Sequence, residues 1–472
     1  MRQTPTTSEA DGMSVSHLSC DQNGAVHIVV IGAGEVGSYL AERLSREGHD
    51  VAMVEQDADR LEQLTRRVDV LGVRGGGASP SVLKDARIDR CDLIVAVTNI
   101  DETNMLACKL GKLLGVETAV ARIENAELRA ATSKQVREDM GIDLVVDPDA
   151  ETAEQIFDLL EFPGTAEVAK MAGGDLVVIG ARIPDHAPLV GKSLAEIAAE
   201  HEPNWDFLFG AIVRGDTTII PRGDHRIEAD DYVRIVCRTK ARREILGELG
   251  LDRATPKRIM VLGGGRIGQA VAEHVTKRNA RVVIVDRDAD RVEQLARDVP
   301  RALVVRGEIT DDELLHQEGV ASADAVIALT GEDDANVLAC IFAKSAGAVE
   351  TIAVAHRLEL LPLLKQVGID VALSPRTASA NAVMRFVRGG VAVSTALEGD
   401  AEVVELEVQE GSTVDGALIA ELRLPKEGVV IGGVVRDGKG QIARGRTALR
   451  SRDHVIIFGM PDKIQDVAPM FG

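Results

Sequence analysis

Short aliphatic runs alternate along this chain with longer stretches that place apolar residues at helical spacing. Runs such as residues 26–31 and 258–262 are almost entirely apolar, which is typical of strands buried on both faces of a sheet. The stretches between the runs have the period of amphipathic helices. Strands and helices that alternate in this way predict an α/β fold, a doubly wound parallel sheet of about 120 residues.

The whole pattern occurs twice. Residues 57–64 match residues 288–295 almost letter for letter, and residues 104–108 match residues 336–340. Repeats of this length at nearly the same offset, 231 and 232 residues, indicate a tandem duplication. We therefore expect two Rossmann-like parallel sheets, each followed by a small α+β domain. The predicted bounds are 1–24 for a disordered N-terminal extension, 25–148 and 256–376 for two nucleotide-binding domains, and 149–250 and 377–472 for a connector helix with a small domain.

A glycine-rich turn follows the first strand of each half, and an acid ends the second strand. Glu55 lies 23 residues after Gly32, and Asp286 lies 23 residues after Gly263. In such turns the first glycine permits the sharp bend, the second lets pyrophosphate approach the backbone, and the third lets helix pack on sheet, while the acid accepts hydrogen bonds from ribose. The candidate turn residues are Gly32, Ala33, Gly34, Glu35, Val36 and Gly37 in the first half and Gly263, Gly264, Gly265, Arg266, Ile267 and Gly268 in the second.

The acids favour NAD(H) or an adenine nucleotide over NADP, because a carboxylate repels a 2′-phosphate. The fingerprint itself does not separate NAD from ADP or ATP. The second half carries Arg266 where the first has Glu35, and Arg287 where the first has Gln56. Added positive charge favours a more highly charged ligand, so we expect NAD(H) in the first pocket and ATP/ADP in the second. The alternatives are that both arginines point to solvent, or that a half has kept the fold without a ligand.

Further candidates follow the later strands, since ligands of open α/β sheets bind at the carboxyl edge. They are Gly76, Thr98, Asn99 and Arg122 in the first half and Glu308, Thr330, Gly331 and His356 in the second, with His356 taken as the equivalent of Arg122.

Composition narrows the class of protein. Among the 472 residues aromatic side chains make up only 2%, so the cores are expected to be aliphatic, and the net charge of −21 argues against nucleic acid as a partner. No apolar run approaches the roughly 20 residues of a membrane span. The five cysteines lack metal-ligand spacing, so we expect reduced thiols and no metal site in a cytoplasmic protein.

Catalysis is not expected. The segments that follow the nucleotide domains span only about 80 residues each, small for a catalytic domain. No Ser/His/Asp, Cys/His or lysine-centred arrangement repeats between the halves, so no catalytic residue is assigned. A duplicated pocket with duplicated small domains is typical of a sensor whose ligand changes its shape. The alternative is an NAD-dependent oxidoreductase with a duplicated cofactor domain.

The motifs together resemble the RCK (regulator of potassium conductance) family, which includes the peripheral NAD-binding subunits of Trk potassium uptake systems. The resemblance is carried by residues 32–37, 97–104 and 121–123 and covers nearly everything after residue 24. It implies NAD(H) and ATP/ADP as regulatory ligands, contacted at residues 32–36, Glu55, Thr98, Asn99 and Arg122.

The same resemblance implies partners. It suggests a homotetrameric ring in the cytoplasm, peripheral to the cell membrane, docked on a membrane-embedded potassium channel-like subunit of the TrkH kind. Regulation of another cation transporter is an alternative that changes only the partner. Glu55 departs from the commoner aspartate of the family, a change that should preserve ribose binding.

Overall fold

The structure, a computed structural model, describes residues 26–131, 134–203, 205–387, 400–424 and 428–472. The predicted extension, residues 1–24, lies outside them. The chain forms two compact units, one with most of the first parallel sheet and the other with the second parallel sheet and both small domains. No helix among the described residues combines the length and the apolar character needed to cross a bilayer.

The first sheet has six parallel strands in the order β3-β2-β1-β4-β5-β6, which is the Rossmann order. Strands β1 and β4 lie at its centre and are buried throughout, which explains their aliphatic sequences. The elements are β1 (His27–Ile31), α1 (Glu35–Arg46), β2 (Asp50–Glu55), α2 (Ala58–Thr65), β3 (Leu71–Arg74), α3 (Pro80–Asp85), β4 (Leu93–Ala96), α4 (Asp101–Leu113), β5 (Thr118–Arg122), α5 (Ala126–Ala131), α6 (Lys134–Met140), β6 (Leu144–Val146) and the connector helix α7 (Pro148–Glu161).

The second parallel sheet, which follows the first small domain along the chain, repeats this topology. The first small domain contains β7 (Glu167–Met171), β8 (Leu176–Arg182), α8 (Leu194–His201), β9 (Phe207–Arg214), β10 (Thr217–Ile219), β11 (Tyr232–Arg238) and α9 (Arg242–Glu248). The second nucleotide domain contains β12 (Arg258–Leu262), α10 (Arg266–Lys277), β13 (Arg281–Asp286), α11 (Ala289–Asp298), β14 (Leu303–Arg306), α12 (Asp312–Gln317), β15 (Ala325–Ala328), α13 (Asp333–Ala346), β16 (Glu350–Val354), α14 (Leu361–Gln366), β17 (Val371–Leu373) and the connector α15 (Pro375–Val387). Its strand order is β14-β13-β12-β15-β16-β17, so the predicted pair of Rossmann-like sheets is confirmed.

Antiparallel sheets form the small domains, as the α+β prediction required. The order is β10-β9-β11-β8-β7 in the first and β18-β21-β19-β20 in the second. The second contains β18 (Glu402–Glu407), α16 (Ile419–Leu422), β19 (Val429–Arg436), β20 (Lys439–Ile442), β21 (His454–Gly459) and α17 (Pro461–Val467). Helix α16 spans only four residues. Just before it, Gly416 has a left-handed φ of 81°, and the Asp415 carboxylate accepts a hydrogen bond from the backbone N–H of Ser451.

A buried ion pair recurs at the same place in each small domain. Asp231 is fully buried, and its carboxylate accepts hydrogen bonds from Nε and Nη2 of Arg214, both at 2.8 Å. Asp453 receives the same two atoms of Arg436 at 2.7 and 2.6 Å. Each pair is bidentate, the strongest arrangement of these groups. The sequence repeats did not point to these pairs, because each aspartate lies just before a strand, 17 residues after its arginine.

The two small domains pack against each other inside the second unit. The buried ring of Phe458 on β21 lies over Gly210 on β9 and Gly432 on β19, and a Cβ added at either glycine would collide with the ring. Leu176 and Val236 of the first domain belong to the same apolar cluster as Phe458. Glycine at 210 and 432 is therefore required by close packing rather than by a turn.

Candidate nucleotide-binding sites

The first glycine of each turn bends the chain sharply out of its strand. Gly32 has a φ of +101° and Gly263 a φ of +109°, a conformation that favours glycine. A Cβ at Gly32 would lie 3.0 Å from Cγ2 of Thr98, and at Gly263 it would lie 2.9 Å from Cγ2 of Thr330. The threonine after the fourth strand therefore closes against the glycine turn in both halves.

The third glycine is fixed by packing inside the protein. A Cβ at Gly37 would collide with the carbonyl oxygen of Gly32, and a Cβ at Gly268 would collide with that of Gly263. The following helix can approach the turn this closely only without a side chain. The neighbouring helix residues Val36 and Ile267 are buried and anchor the first turn of α1 and α10.

The second glycine, by contrast, is open. Gly34 and Gly265 are the N-caps of α1 and α10, and a Cβ at either position would meet no atom within 4 Å. Neither helix has a side-chain cap, so its first N–H groups are left to other acceptors. An anion placed there would face the backbone N–H groups of the first helical turn and the positive end of the helix dipole.

The acid at the end of the second strand holds the glycine turn in place. Oε2 of Glu55 accepts the N–H of Ala33 at 2.6 Å, and Oδ2 of Asp286 accepts the N–H of Gly264 at 2.7 Å. A Cβ at Gly264 would collide with Leu295, which explains why this turn has glycine where the first has alanine. A carboxylate oxygen has a second lone pair, which keeps both acids able to accept a ribose hydroxyl.

A buried asparagine, missed in the sequence analysis, orders the loop after the fourth strand. Oδ1 of Asn104 accepts the backbone N–H and the hydroxyl of Thr98 at 2.9 and 2.7 Å. Oδ1 of Asn336 does the same for Thr330 at 3.0 and 2.7 Å. Both asparagines are fully buried, so they position the threonines rather than offer themselves to a ligand. Their presence in matching repeat segments was the signal that could have identified them.

The remaining candidates of this edge differ between the halves. Asn99 is exposed, and its counterpart Gly331 leaves open space where a Cβ would be. Gly76 lies near Nε2 of Gln56, which would be 3.2 Å from an added Cβ, whereas its counterpart Glu308 is exposed.

The two arginines that distinguish the second pocket are both held by acids. Arg266 binds the carboxylates of Asp147 and Asp149 at 2.8 and 3.0 Å, and Arg287 binds Glu332 at 2.8 Å. The Arg266 guanidinium is held by partly buried acids, whereas the Arg287 side chain is 62% exposed, so the alternative of a solvent-facing arginine describes Arg287 and not Arg266. Because acids partly neutralise them, their charge favours ADP or ATP less strongly than the sequence indicated.

Arg291 is an addition that the sequence analysis did not single out. Its Nε donates to the carbonyl of Gly264 at 2.5 Å, and its Nη2 donates to Oε1 of Gln269 at 2.8 Å. The equivalent Arg60 in the first half has a largely exposed side chain, whose Nε lies 3.8 Å from a carboxylate oxygen of Asp57. An arginine therefore braces the outer side of the second glycine turn only.

The equivalence of His356 with Arg122 is wrong by two residues. The N–H of Ile123 donates to Val146 in the first half, and the N–H of Ala355 donates to Leu373 at the same point of the second. Arg122 is therefore the counterpart of Val354, and His356 is the counterpart of Glu124. The similar polarity of the two segments concealed this shift in register.

His356 is engaged by an acid at the start of α13. Asp333 is buried and accepts the backbone N–H of His356 at 2.8 Å, its Nδ1 at 3.0 Å, and the N–H of Arg357 at 2.9 Å. Burial alone would raise the pKa of Asp333, but these donors outweigh it and lower the pKa below its usual range. The carboxylate thus stays ionised and fixes the loop after β16.

Two buried cysteine thiols lie at equivalent positions of the nucleotide domains. Burial raises the pKa of Cys108 and Cys340, at equivalent positions of α4 and α13, to about 12, so both remain protonated. Within the described ranges no three His, Cys, Asp or Glu side chains are grouped so that they could hold a metal ion.

Two Rossmann sheets in tandem, each with a glycine turn held by an acid, define a protein with two dinucleotide-binding folds in one chain. The TrkA-N domain model matches residues 28–148 and 259–375, and the TrkA-C domain model matches residues 178–250 and 403–472. The chain therefore belongs to the TrkA family, as the motifs indicated.

Relatives of known name support the assignment over the full length. The chain is 34% identical to the Trk system potassium uptake protein TrkA of Halomonas elongata, covering 94% of this chain and 98% of the relative. It is 34% identical to the TrkA of Haemophilus influenzae, covering 91% and 95%. The solved GsuK channel bound to NAD shares the fold, with a TM-score of 0.57 and 18% identity over 96% of this chain and 80% of that chain. These names are those of a potassium uptake system and a channel rather than of enzymes, in agreement with the prediction.

Proposed function

We propose that this protein is the nucleotide-sensing regulatory subunit of a potassium uptake system. It binds NAD(H) in the first pocket and ATP/ADP in the second, and it transmits their occupancy to a membrane-embedded potassium channel-like subunit of the TrkH kind. The observation that carries the proposal is the duplicated turn, open at Gly34 and Gly265 and held by Glu55 and Asp286, in a chain of the TrkA family.

Each pocket has the parts that an adenine nucleotide requires. The open helix N-termini receive phosphate, the two acids receive ribose hydroxyls, and Thr98 and Thr330 border the turns at the carboxyl edge. Arg122, Asn99 and Gly76 complete the proposed first site, and Arg266, Arg287 and Glu308 complete the second. The GsuK channel, which has the same fold, is described as bound to NAD, which supports a nucleotide in this type of domain.

The proposed assembly is a homotetrameric ring on the cytoplasmic side of the membrane. Leu106 on α4 is 46% exposed, and Leu338 at the same position of α13 is 60% exposed. An apolar side chain exposed at equivalent places in both halves fits a face that a second copy of the chain covers. Replacing both leucines by glutamate should lower the mass measured by light scattering, whereas an unchanged mass would argue against this face.

Nucleotides would act on the partner by population shift. Moving a gate from mostly closed to mostly open requires a differential affinity of about 5.5 kcal/mol. Several pockets of a ring can share this, at about 1 kcal/mol or more each. A ligand contributes only as far as it binds the two states of the ring with different affinity.

The test is equilibrium binding of NADH, ADP and ATP to the full chain and to the variants Gly34→Asp and Gly265→Asp. Aspartate is a good N-cap, and there is room for it, so each variant should fold while its carboxylate occupies the helix donors and repels phosphate. Gly34→Asp should abolish the NADH site and leave the ADP site, and Gly265→Asp should do the reverse. Gly34→Ala and Gly265→Ala are the controls for size alone.

Three results would contradict the proposal in distinct ways. Equal ligand preference in the two single-pocket variants would refute the division of ligands. No nucleotide binding by the unmodified chain would refute the sensor. Consumption of NADH with small carbonyl compounds would establish the oxidoreductase alternative instead.

A further inference from the structure

Arg266 joins the second glycine turn to the connector helix α7. It is the first residue of α10, directly after Gly265. Its Nη2 donates to both carboxylate oxygens of Asp147 at 2.9 and 2.8 Å, and its Nη1 lies 3.0 Å from Asp149 and 2.6 Å from the carbonyl of Glu124. Asp147 is the N-cap of α7, so one guanidinium links the N-terminal end of α10 to the start of another helix.

The rest of α7 is also fixed along α10. At the far end Arg278 binds Glu161 at 2.6 Å. Between the two ends the rings of Phe157 and His274 stack with centroids 3.8 Å apart. Lys170 on β7 then binds Glu161 at 3.4 Å, which extends the contact to the first small domain. A change in the contacts between Arg266 and the start of α7 therefore acts on a helix that leads to the first small domain.

The charges at these positions change together between the halves of the chain. Where the second turn is followed by Arg266, the first is followed by Glu35. Where α7 begins with Asp147, Pro148 and Asp149, α15 begins with Ser374, Pro375 and Arg376. The sign is reversed at Arg266 and at Asp149, whereas Asp147 is replaced by a neutral serine, so an arginine held by two acids is not repeated at the matching positions of the first turn and α15.

We propose that Arg266 is a relay between the second pocket and α7. The phosphates of a nucleotide in that pocket compete with Asp147 and Asp149 for the Arg266 guanidinium. The inference rests on the proposed function, since it needs a phosphate at the second turn. Two carboxylates already hold the guanidinium that would meet an incoming phosphate, so the phosphate must compete with them. When phosphate draws the guanidinium away, α7 loses the hold on its first turn. Arg266 is thus a positioning residue for α7 as well as a determinant of affinity.

Linkage gives the proposal a sharp prediction, because coupling between two sites is reciprocal. If ADP binding releases the acids from Arg266, neutralising the acids must strengthen ADP binding. In the Gly34→Asp background, where only the second pocket is available, Asp147→Asn with Asp149→Asn should lower the Kd for ADP about fivefold or more. Asp149→Asn alone leaves the N-cap of α7 intact and should give a smaller change in the same direction. In the presence of Arg266→Gln, both substitutions should have a much smaller effect, because no guanidinium remains to be released.

The matched control is Glu161→Gln, which loosens the opposite end of α7 from Arg278. It should leave the Kd for ADP unchanged, because it lies far along the helix from the turn. Hydrogen exchange supplies a readout besides affinity: ADP should increase exchange of the amides in the first turn of α7 in the Gly34→Asp protein and leave it unchanged when Arg266 is glutamine.

The outcomes separate the relay from the function on which it rests. If ADP binds but the acid-to-amide variants bind it equally or more weakly, the relay is refuted and the sensor stands. If Glu161→Gln strengthens binding as much as they do, general loosening of α7 replaces the relay as the explanation. If the Gly34→Asp protein binds no ADP, the second pocket and the relay both fail.

Discussion

The two nucleotide domains share the residues that build the glycine turn and its support, here called the frame, and differ in the charged residues around the turn, here called the rim. Both use the strand order 3-2-1-4-5-6, an acid that accepts the turn N–H, and a buried asparagine that holds the threonine loop. Around that frame, Glu35 of the first half occupies the position of Arg266 in the second. Arg60 is exposed, whereas the equivalent Arg291 donates to the second glycine turn. Duplication has thus preserved the residues that build each pocket and altered those that surround it, and the proposed division of ligands depends on the altered residues.

The largest expected effect tests the shared frame. Gly37→Ala and Gly268→Ala each place a methyl group against a backbone carbonyl that cannot rotate away. Each should lower the free energy of unfolding by more than about 3 kcal/mol, measured by urea unfolding. Gly34→Ala and Gly265→Ala have open space and should remain within about 1 kcal/mol of the unmodified protein. A similar loss for all four would mean that the third glycine has no special packing role.

A second shared feature lies in the small domains. Asp231→Asn and Asp453→Asn keep the shape of the side chain but leave Arg214 or Arg436 without its buried counter-charge. Because each arginine is partly exposed, the expected loss is about 2–3 kcal/mol per domain, below the range for a fully buried pair. Thermal unfolding of the two variants checks this, and exposed Asp216→Asn is the control. Unequal losses would show that the small domains are not energetically equivalent.

The two parallel sheets differ at one strand position, where the second has Glu350 and the first has Thr118. The side chain of Glu350 is 2% exposed, with Oε1 accepting the N–H of Gly164 at 2.9 Å and Oε2 buried without a partner among the described residues. Burial raises its pKa to about 7, against the opposing effects of that N–H and of Arg253 and Lys344, while Asp370 reinforces it. The folded protein therefore keeps a proton that the unfolded chain releases near its ordinary value of 4.5.

Stability contributed by Glu350 should thus fall as the pH rises from about 4.5 to about 7, since the folded state binds more protons in that window. Glu350→Gln retains the acceptor for Gly164 and removes the charge. At pH 8 it should raise the free energy of unfolding by roughly 2 kcal/mol, and at pH 4.5 the difference should largely vanish. A gain that does not depend on pH would contradict this account.

The smallest expected effect concerns the rim. Arg291→Met removes the donors to the second glycine turn and should cost about 1 kcal/mol of stability, together with weaker ADP binding. Arg60→Met, its counterpart in the first half, should change neither stability nor NADH binding. Differential scanning calorimetry and nucleotide titration of both variants measure the contrast. Equal behaviour would show that Arg291 is no more important than an exposed arginine.

Most of the frame was predictable from sequence because its signals are local. Aliphatic strands, glycine turns and the acids at 55 and 286 each show themselves within about 25 residues of chain. The partners of Arg266 were not predictable, since Asp147 lies 119 residues away and meets it only through tertiary packing. The position of His356 was misjudged because polar residues after a strand give no register, which only the pairing of Ala355 with Leu373 reveals.

The packing of Phe458 over Gly210 and Gly432 has a further consequence. The two small domains meet as a pair of related modules would in a dimer, yet both belong to one polypeptide. Their association is intramolecular, so its strength depends on the connecting chain and not on how much protein a cell contains. Dilution can take an assembly of separate chains apart, but it leaves this pair together for as long as each molecule stays folded.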